Sequence, residues 1–353
     1  MNPLASFCLK SYNGRRYLRE ALAGAFAQTY RPLEIVVSDD ASTDGSWEEI
    51  SGFCASHAVP DGVTLKLNRN PTNLGSLGNW ERLCELAEGV LLVKADGDDI
   101  STPDRVERIM NAWERGNRRA TVICHSGWQI GADGSWRGHL RQVTATWPLG
   151  AAMAFVPETF RLFGRMKDGS LVDDVVYANR GLMLGPALEM PDRLVYYRQG
   201  SGMTTDDWNI RKVVERCTPM SLAAVRSQLE QDAPRLRTLR GEAAAGSWRK
   251  RLGAEERRLV AKRELVVGRT IRERWKDFRG MGGGRLLSIS GYLRVAFLMP
   301  RPVGSVLLLA YVALRYAVRR LTPRPTGIRF VEPLTSGKAC AAGTRGEETD
   351  ERN

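Results

Sequence analysis

Residues 4–40 read LASFCLKSYNGRRYLREALAGAFAQTYRPLEIVVSDD, and the fold class follows from this one stretch. Two short apolar runs, 4–10 and 33–38, are bounded by polar turn residues, as buried strands are. Between them Tyr17, Leu18, Ala21, Leu22, Ala25 and Phe26 recur at three- and four-residue spacing, which predicts a helix over about 15–29, and Pro32 supplies the stop. Strand, helix and strand in so few residues make a βαβ unit, whose right-handed crossover places the two strands side by side and parallel.

The same grammar continues outward. Val63–Leu67 and Val90–Ala95 are further strand candidates, with a helix from about Gly78 to Glu88 between them, stopped by Gly89. After Asp99, Ser101 or Thr102 is placed to cap a helix that has Pro103 in its first turn and ends near Arg115, before Gly116. Thr121–His125 reads as a strand. From Gly138 to Gly169 the pattern is interrupted by Pro148, Gly150 and Pro157, leaving only a short helix near Glu158–Phe163. The first part of the chain is therefore α/β.

Charge divides the 353 residues unevenly. Residues 1–210 carry 22 Lys/Arg against 26 Asp/Glu, whereas residues 211–330 carry 27 against 9, and residues 331–353 carry 3 against 5. The expected organisation is an acidic chemistry domain over 1–210, a mostly helical Arg-rich segment over 211–330, and a disordered tail over 331–353. Val303–Leu314 has no charge at all, but twelve residues are too few to span a bilayer, and Arg294, Arg301, Arg315, Arg319 and Arg320 flank or interrupt the region. Interfacial or re-entrant helices fit better, and their basic flanks would be drawn to an anionic membrane surface at about 1 kcal/mol each.

Several function classes drop out. Six Cys without a C-x-x-C pair and three His, at 57, 125 and 139, encode neither a disulfide framework nor a zinc site, which points to reduced thiols and a cytoplasmic setting. The first ten residues lack the basic and long apolar regions of a signal peptide. There is no G-x-G-x-x-G after the first strand and no G-x-x-x-x-G-K-[ST]. The basic segment lacks the aromatic and basic interleaving of nucleic-acid readers, so no nucleic-acid partner is expected.

In an open sheet of this kind ligands bind outside the carboxyl ends of the strands. There the first strand ends in Ser11-Tyr12-Asn13-Gly14, the second in Asp39-Asp40-Ala-Ser-Thr-Asp44, and the strand at 90–95 in Asp96-Gly-Asp98-Asp99. Asp39, Asp40, Asp96, Asp98 and Asp99 converging on one edge would repel one another unless a cation or several donors satisfied them. A hard divalent cation, Mg or Mn, bound by one or two carboxylates together with substrate phosphates, is the economical partner. Asp44 reads more simply as a helix cap.

The set Ser11-Tyr12-Asn13-Gly14, Gln28-Thr29-Tyr30, Ser38-Asp39-Asp40-Ala-Ser-Thr-Asp44-Gly45, Asn73-Leu-Gly75 with Asn79, and Ala95-Asp96-Gly-Asp98-Asp99 resembles the family 2 glycosyltransferases, most closely over residues 1–115. The resemblance implies a GT-A fold, a Rossmann-like nucleotide-sugar domain with a mixed central sheet flanked by helices, here with a helical basic extension. It implies inverting, metal-assisted transfer of a sugar from a nucleoside diphosphate to a hydroxyl of a lipid-linked or surface-glycan acceptor.

By the same resemblance Asp40 hydrogen-bonds the nucleotide base with Asp39 in support, Ser11, Tyr12 and Asn13 face that base, and Asp98 holds the metal, with Asp96 on metal or ribose. Asp173-Asp174, in Leu-Val-Asp173-Asp174-Val-Val-Tyr, matches the family's acidic pair at a helix start, its second member being the base. Two departures stand out. Lys10-Ser11 replaces the frequent Pro-Thr, and the loop after Tyr197 reads Arg198-Gln199-Gly200 where relatives carry a His, leaving Arg198 and Gln199 as donors. With no Q-x-x-R-W pattern, single additions at the inner face of the plasma membrane, in cell-wall or polysaccharide synthesis, are expected. The alternative is an inactive nucleotide-sugar-binding or membrane scaffold protein.

Overall fold

The structure is a computed structural model that describes residues 2–140, 143–145, 148–200, 210–267 and 329–331. The unit read from residues 4–40 is present as β1 (Ala5–Ser11), α1 (Arg15–Phe26) and β2 (Leu33–Asp39), with β1 and β2 parallel and Ser11 level with Asp39. There follow α2 (Ser46–Ser56), β3 (Val63–Arg69), α3 (Gly75–Leu86) and β4 (Leu92–Asp96). The sequence reading marks the start of helix α2 only through Asp44 and gives it no extent, because its only large buried residues are Ile50 and Phe53 and its apolar stripe is short.

Beyond β4 come β5 (Ile100–Ser101), α4 (Arg105–Arg115), β6 (Val122–Ile130), β7 (Trp136–His139), a 3-10 turn at Gly150–Ala152, β8 (Met153–Phe155) and α5 (Glu158–Arg161). The chain then forms α6 (Asp173–Leu184), β9 (Ala187–Arg198), α7 (Ile210–Val267) and β10 (Arg329–Val331). The expected cap of α4 is displaced: Ser101 belongs to β5, paired with Val195 of β9, and the helix starts after Asp104 with no side-chain cap. Strands β7, β8 and β9 were not legible, since the first two are four and three residues long and β9 carries Pro191.

One sheet collects the strands in the order β10-β9-β6-β8-β4-β1-β2-β3, with β5 on β9 and β7 on β6. Strands β1 to β4 run parallel, β8 runs against β4 and β6, and β9 runs parallel to β6. The sheet is mixed, as the resemblance implies. Alternate strand residues feed two cores. Phe7, Leu9, Ile35, Val37 and Val93 pack against α1, α2 and α4. Cys8, Val36 and Leu92 pack against Leu77, Trp80 and Leu83 of α3 and Val176 and Tyr177 of α6.

Helix α7 is broken at Gly241, whose φ of 83° is left-handed. The described part of the Arg-rich segment packs on the body: Leu222, Val225, Leu236, Trp248 and Leu252 form a third core with Phe163 and Met183. Arg180 of α6, fully buried, donates to both oxygens of Asp232 at 2.9 and 3.0 Å. Among the described residues no helix is long and apolar enough to cross a membrane. The run Val303–Leu314 and tail residues 332–353 lie outside the described residues, and Val331 ends β10.

Candidate active site

The carboxyl ends of β1, β2 and β4 form one edge, and the acidic residues there fall into two groups. At the end of β2 both carboxylates are buried and satisfied by protein donors. Asp39 accepts the Ser42 hydroxyl at 2.6 Å and its N–H at 3.0 Å, with Arg69 Nε at 3.8 Å. Asp40 accepts Asn70 Nδ2 and Leu74 N–H at 2.8 Å and Gly75 N–H at 3.0 Å. These bonds explain Asn73-Leu-Gly75: Gly75 sits at φ 81°, and a Cβ there would lie 2.7 Å from the Gly169 carbonyl oxygen. Asn79 ties the edge together, donating to the Ser11 and Ser38 carbonyls and accepting from Ser38 and Asn70.

The turn after β1 faces solvent. Tyr12 is 54% exposed, so it is not a core aromatic. Asn13, at φ 48°, accepts Thr43 N–H on its side chain and donates its own N–H to the Ser42 hydroxyl, holding the two loops together. The Ser11 hydroxyl is buried and has no partner among the described residues. Asp44 accepts the Ser46 hydroxyl and N–H and the Arg15 N–H, but it is not the helix cap expected from sequence: α2 starts after Gly45, at φ 87°, with no side-chain cap.

The second group is countered by ammonium groups that sequence reasoning did not single out. Lys10 Nζ lies 2.7 Å from Asp173 Oδ2, 2.7 Å from the Ser76 hydroxyl and 3.4 Å from Asp96 Oδ1. Lys94 Nζ lies 2.9 and 3.1 Å from the two Asp96 oxygens and 3.3 Å from Asp173 Oδ2. The β1–β4 register sets Lys10 level with Asp96 and Cys8 level with Lys94, which puts both lysines on the face covered by α3 and α6. A lysine inside the apolar strand 90–95 was the available signal, but its meaning needed that register.

Burial works against ionisation of Asp96 and Asp173, yet Lys10 and Lys94 hold both carboxyls below the usual range. Asp174 differs: burial and the adjacent Asp173 charge push it up to about 6, only partly offset by Lys94 and Lys10. Residues 74–76 bridge the groups, since Leu74 and Gly75 donate to Asp40 and Ser76 touches Lys10 and, at 3.4 Å, Asp173. The edge at Asp40, the strand end at Asp96 and the helix start at Asp173-Asp174 are thus one contiguous site.

Past β4, Asp98 is half-buried, and Asp99 is buried with Oδ1 accepting Arg198 N–H at 2.7 Å and Oδ2 without a partner among the described residues. Burial, then Asp98 and Asp96, raise the Asp99 carboxyl well above the usual range. Arg198 is committed within the protein: its guanidinium donates to Glu20, to the Asp98 carbonyl and to the carbonyls of Gly131 and Ala132, over the Tyr17 ring. It braces the Asp98-Asp99 turn rather than standing open as a pyrophosphate donor, and Gln199 is likewise buried, its N–H on the Ile130 carbonyl. Among the described residues no cluster of three or more His, Cys, Asp or Glu forms a ready-made metal site.

The sequence model described as Glycosyl transferase family 2 matches residues 6–182, half of the chain. The chain belongs to this family. "Putative glycosyltransferase EpsE" of Bacillus subtilis is 31% identical over 106 residues, 30% of this chain and 37% of that protein. An uncharacterized glycosyltransferase of Haemophilus influenzae is 31% identical over 116 residues, 32% of this chain and 33% of the other. The alignments span about a third of these curated relatives. Among solved structures, S. aureus TarS 1-349 superposes with a TM-score of 0.52 at 14% identity, over 96% of this chain and 98% of that one. The same protein in complex with UDP gives 0.51 at 14%, over the same shares. At such identity the likeness shows the fold, a GT-A-type mixed sheet with flanking helices.

Proposed function

We propose that this family 2 protein is an inverting glycosyltransferase that moves a sugar from a nucleoside diphosphate to a hydroxyl of a lipid-linked or surface-glycan acceptor, with Asp174 as the base. One observation carries the reading. Asp174 lies in the first turn of a helix joined to the D-x-D strand end through Asp173, Lys10, Lys94 and Asp96, and burial with the adjacent Asp173 charge pushes its carboxyl up to about 6. A base whose pKa lies near the working pH is ionised yet still basic.

In this reading the nucleotide base stacks on the exposed Tyr12 ring, in the turn that follows Ser11. Asp40 and Asp39, saturated by protein donors, shape that pocket by fixing the loops at 42 and 74–75. That TarS 1-349 is solved in complex with UDP supports a nucleotide ligand for the shared fold. The acceptor oxygen attacks the anomeric carbon from the face opposite the diphosphate. Its proton passes to Asp174, the new C–O bond forms, and the bond to the departing diphosphate breaks with the electron pair on phosphate oxygen. Attack from the opposite face inverts the anomeric centre.

The oxygen donors present fit a hard cation, Mn or Mg, held by Asp98 with substrate phosphates and water, an arrangement that needs no preformed cluster. Asp96, already countered by two ammonium groups, is the weaker candidate for that ion. When bound, the cation neutralises charge on the leaving diphosphate. The excess of Lys/Arg over 211–330 supports apposition to an anionic membrane surface at the cytoplasmic side.

The test is a panel of nucleotide sugars offered with manganese, scored by thermal shift and by donor hydrolysis. Stabilisation and hydrolysis with one donor, both lost in Asp98→Ala, are expected. No response to any donor from a folded protein refutes the reading.

A further inference from the structure

We propose that Lys10 and Lys94 are positioning residues: together they clamp Asp173 of α6 to Asp96 of β4, and so fix where Asp174 stands relative to the donor edge of the sheet. The inference rests on the reading of Asp174 as base, and it concerns two residues to which that reading gives no part.

The geometry is a closed quartet of two ammonium groups and two carboxylates. Asp173 Oδ2 is shared by Lys10 at 2.7 Å and Lys94 at 3.3 Å, and Asp96 Oδ1 is shared by the same two at 3.4 and 2.9 Å. Lys94 is 1% exposed and Lys10 16%, so neither cation is a solvated surface charge. A buried ammonium without its partner is strongly disfavoured, so each lysine demands both acids in place. The four charges cancel, and the quartet closes only when α6 sits against the ends of β1 and β4.

A second feature shows that room is made for it. Gly150, in the 3-10 turn before β8, lies so close to Lys94 that a Cβ there would collide with Nζ and stand 3.0 Å from Cε. Ser76, at the start of α3, completes the shell by bonding Lys10. Five separate segments therefore converge on the two ammonium groups: β1, α3, β4, the turn at 150 and α6. The charged groups facing Asp174 are Asp173 beside it on α6, Lys10 from β1 and Lys94 from β4, with Asp96 behind the lysines.

A positioning clamp makes a prediction that plain structural support does not. Removing one cation should raise the midpoint at which Asp174 takes up its proton, because both lysines favour its ionised form. The experiment is a carbonyl 13C NMR titration of the full chain labelled at aspartate, with the Asp174 signal assigned by Asp174→Asn. In Lys10→Met the Asp174 midpoint is expected to rise by about one pH unit, and Lys10→Arg is expected to restore it. The acid limb of kcat should move in the same direction, with kcat lowered more than the donor KM is raised.

Gly150→Ala crowds Lys94 without removing a charge and carries the same readout should Lys10→Met not fold. A folded Lys10→Met or Gly150→Ala protein whose Asp174 midpoint and acid limb match the wild type overturns the clamp. Failure of the transferase reading looks different: the wild type transfers no sugar from any donor, while the lysine variants still shift the Asp174 titration.

Discussion

The carboxylates at the end of β2 and those shared by β4 and α6 lie on the same edge of one sheet, but they are neutralised by different means. Asp39 and Asp40 are held by hydroxyl, amide and backbone N–H donors, which fix loops and occupy the carboxylate oxygens. Asp96 and Asp173 are held by ammonium groups, and next to them Asp174 keeps a proton affinity raised by burial and by Asp173. Hydrogen-bond donors build shape, whereas placed charges set the reactivity of a neighbour. The difference teaches that an acidic motif is not one physical unit, because its members acquire different proton affinities from what surrounds them.

The sharpest way to break this contrast is at the reactive end. Asp174→Asn is expected to lower single-turnover transfer by about 10²–10⁴-fold while nucleotide affinity, measured by calorimetry, stays unchanged. In the wild type the acid limb should fall as pH drops through about 6, because the protonated carboxyl cannot accept the acceptor's proton. Turnover that is flat from pH 5 to 8 would move the base elsewhere.

Next in size is the anchor behind the same helix. Asp232→Ala leaves Arg180 buried without its bidentate partner and should cost about 3–5 kcal/mol in a denaturant titration. A loss below 1 kcal/mol would mean that α7 does not brace α6.

At the β2 end the expected effect is on stability. Asp40→Ala removes the acceptor for Asn70, Leu74 and Gly75 and should cost about 1–3 kcal/mol by thermal or denaturant melting. A variant of unchanged stability that loses nucleotide affinity would instead place Asp40 on the base. The smallest effect belongs to the exposed ring: Tyr12→Ala should weaken nucleotide binding by about 1 kcal/mol, with no change in melting.

Much of the acidic edge of the sheet could be read from the sequence. The βαβ unit, the Asp-rich strand ends and the acidic pair at the start of α6 each depend on local order and spacing. The rest was illegible for identifiable reasons. Lys10 and Lys94 are 84 residues apart, and only the β1–β4 register and the packing of α6 turn two lysines into a pair. Arg198 reads as an open donor in a Gly-containing loop, but the folded chain consumes it on Glu20 and on carbonyls of two other turns. Strands β7 and β8 were too short to show a period, so the antiparallel part of the sheet was implied by resemblance alone.

By itself the sequence determined the fold class, the family and which strand ends carry acid, because periodicity and turn chemistry are encoded within a few consecutive residues. The tertiary structure alone decided which of those acids are held by hydrogen-bond donors and which by ammonium groups. Proton affinity depends on burial and on charges a few ångströms away, and those neighbours arrive from β1, β4, α3 and α6 only when the chain has folded.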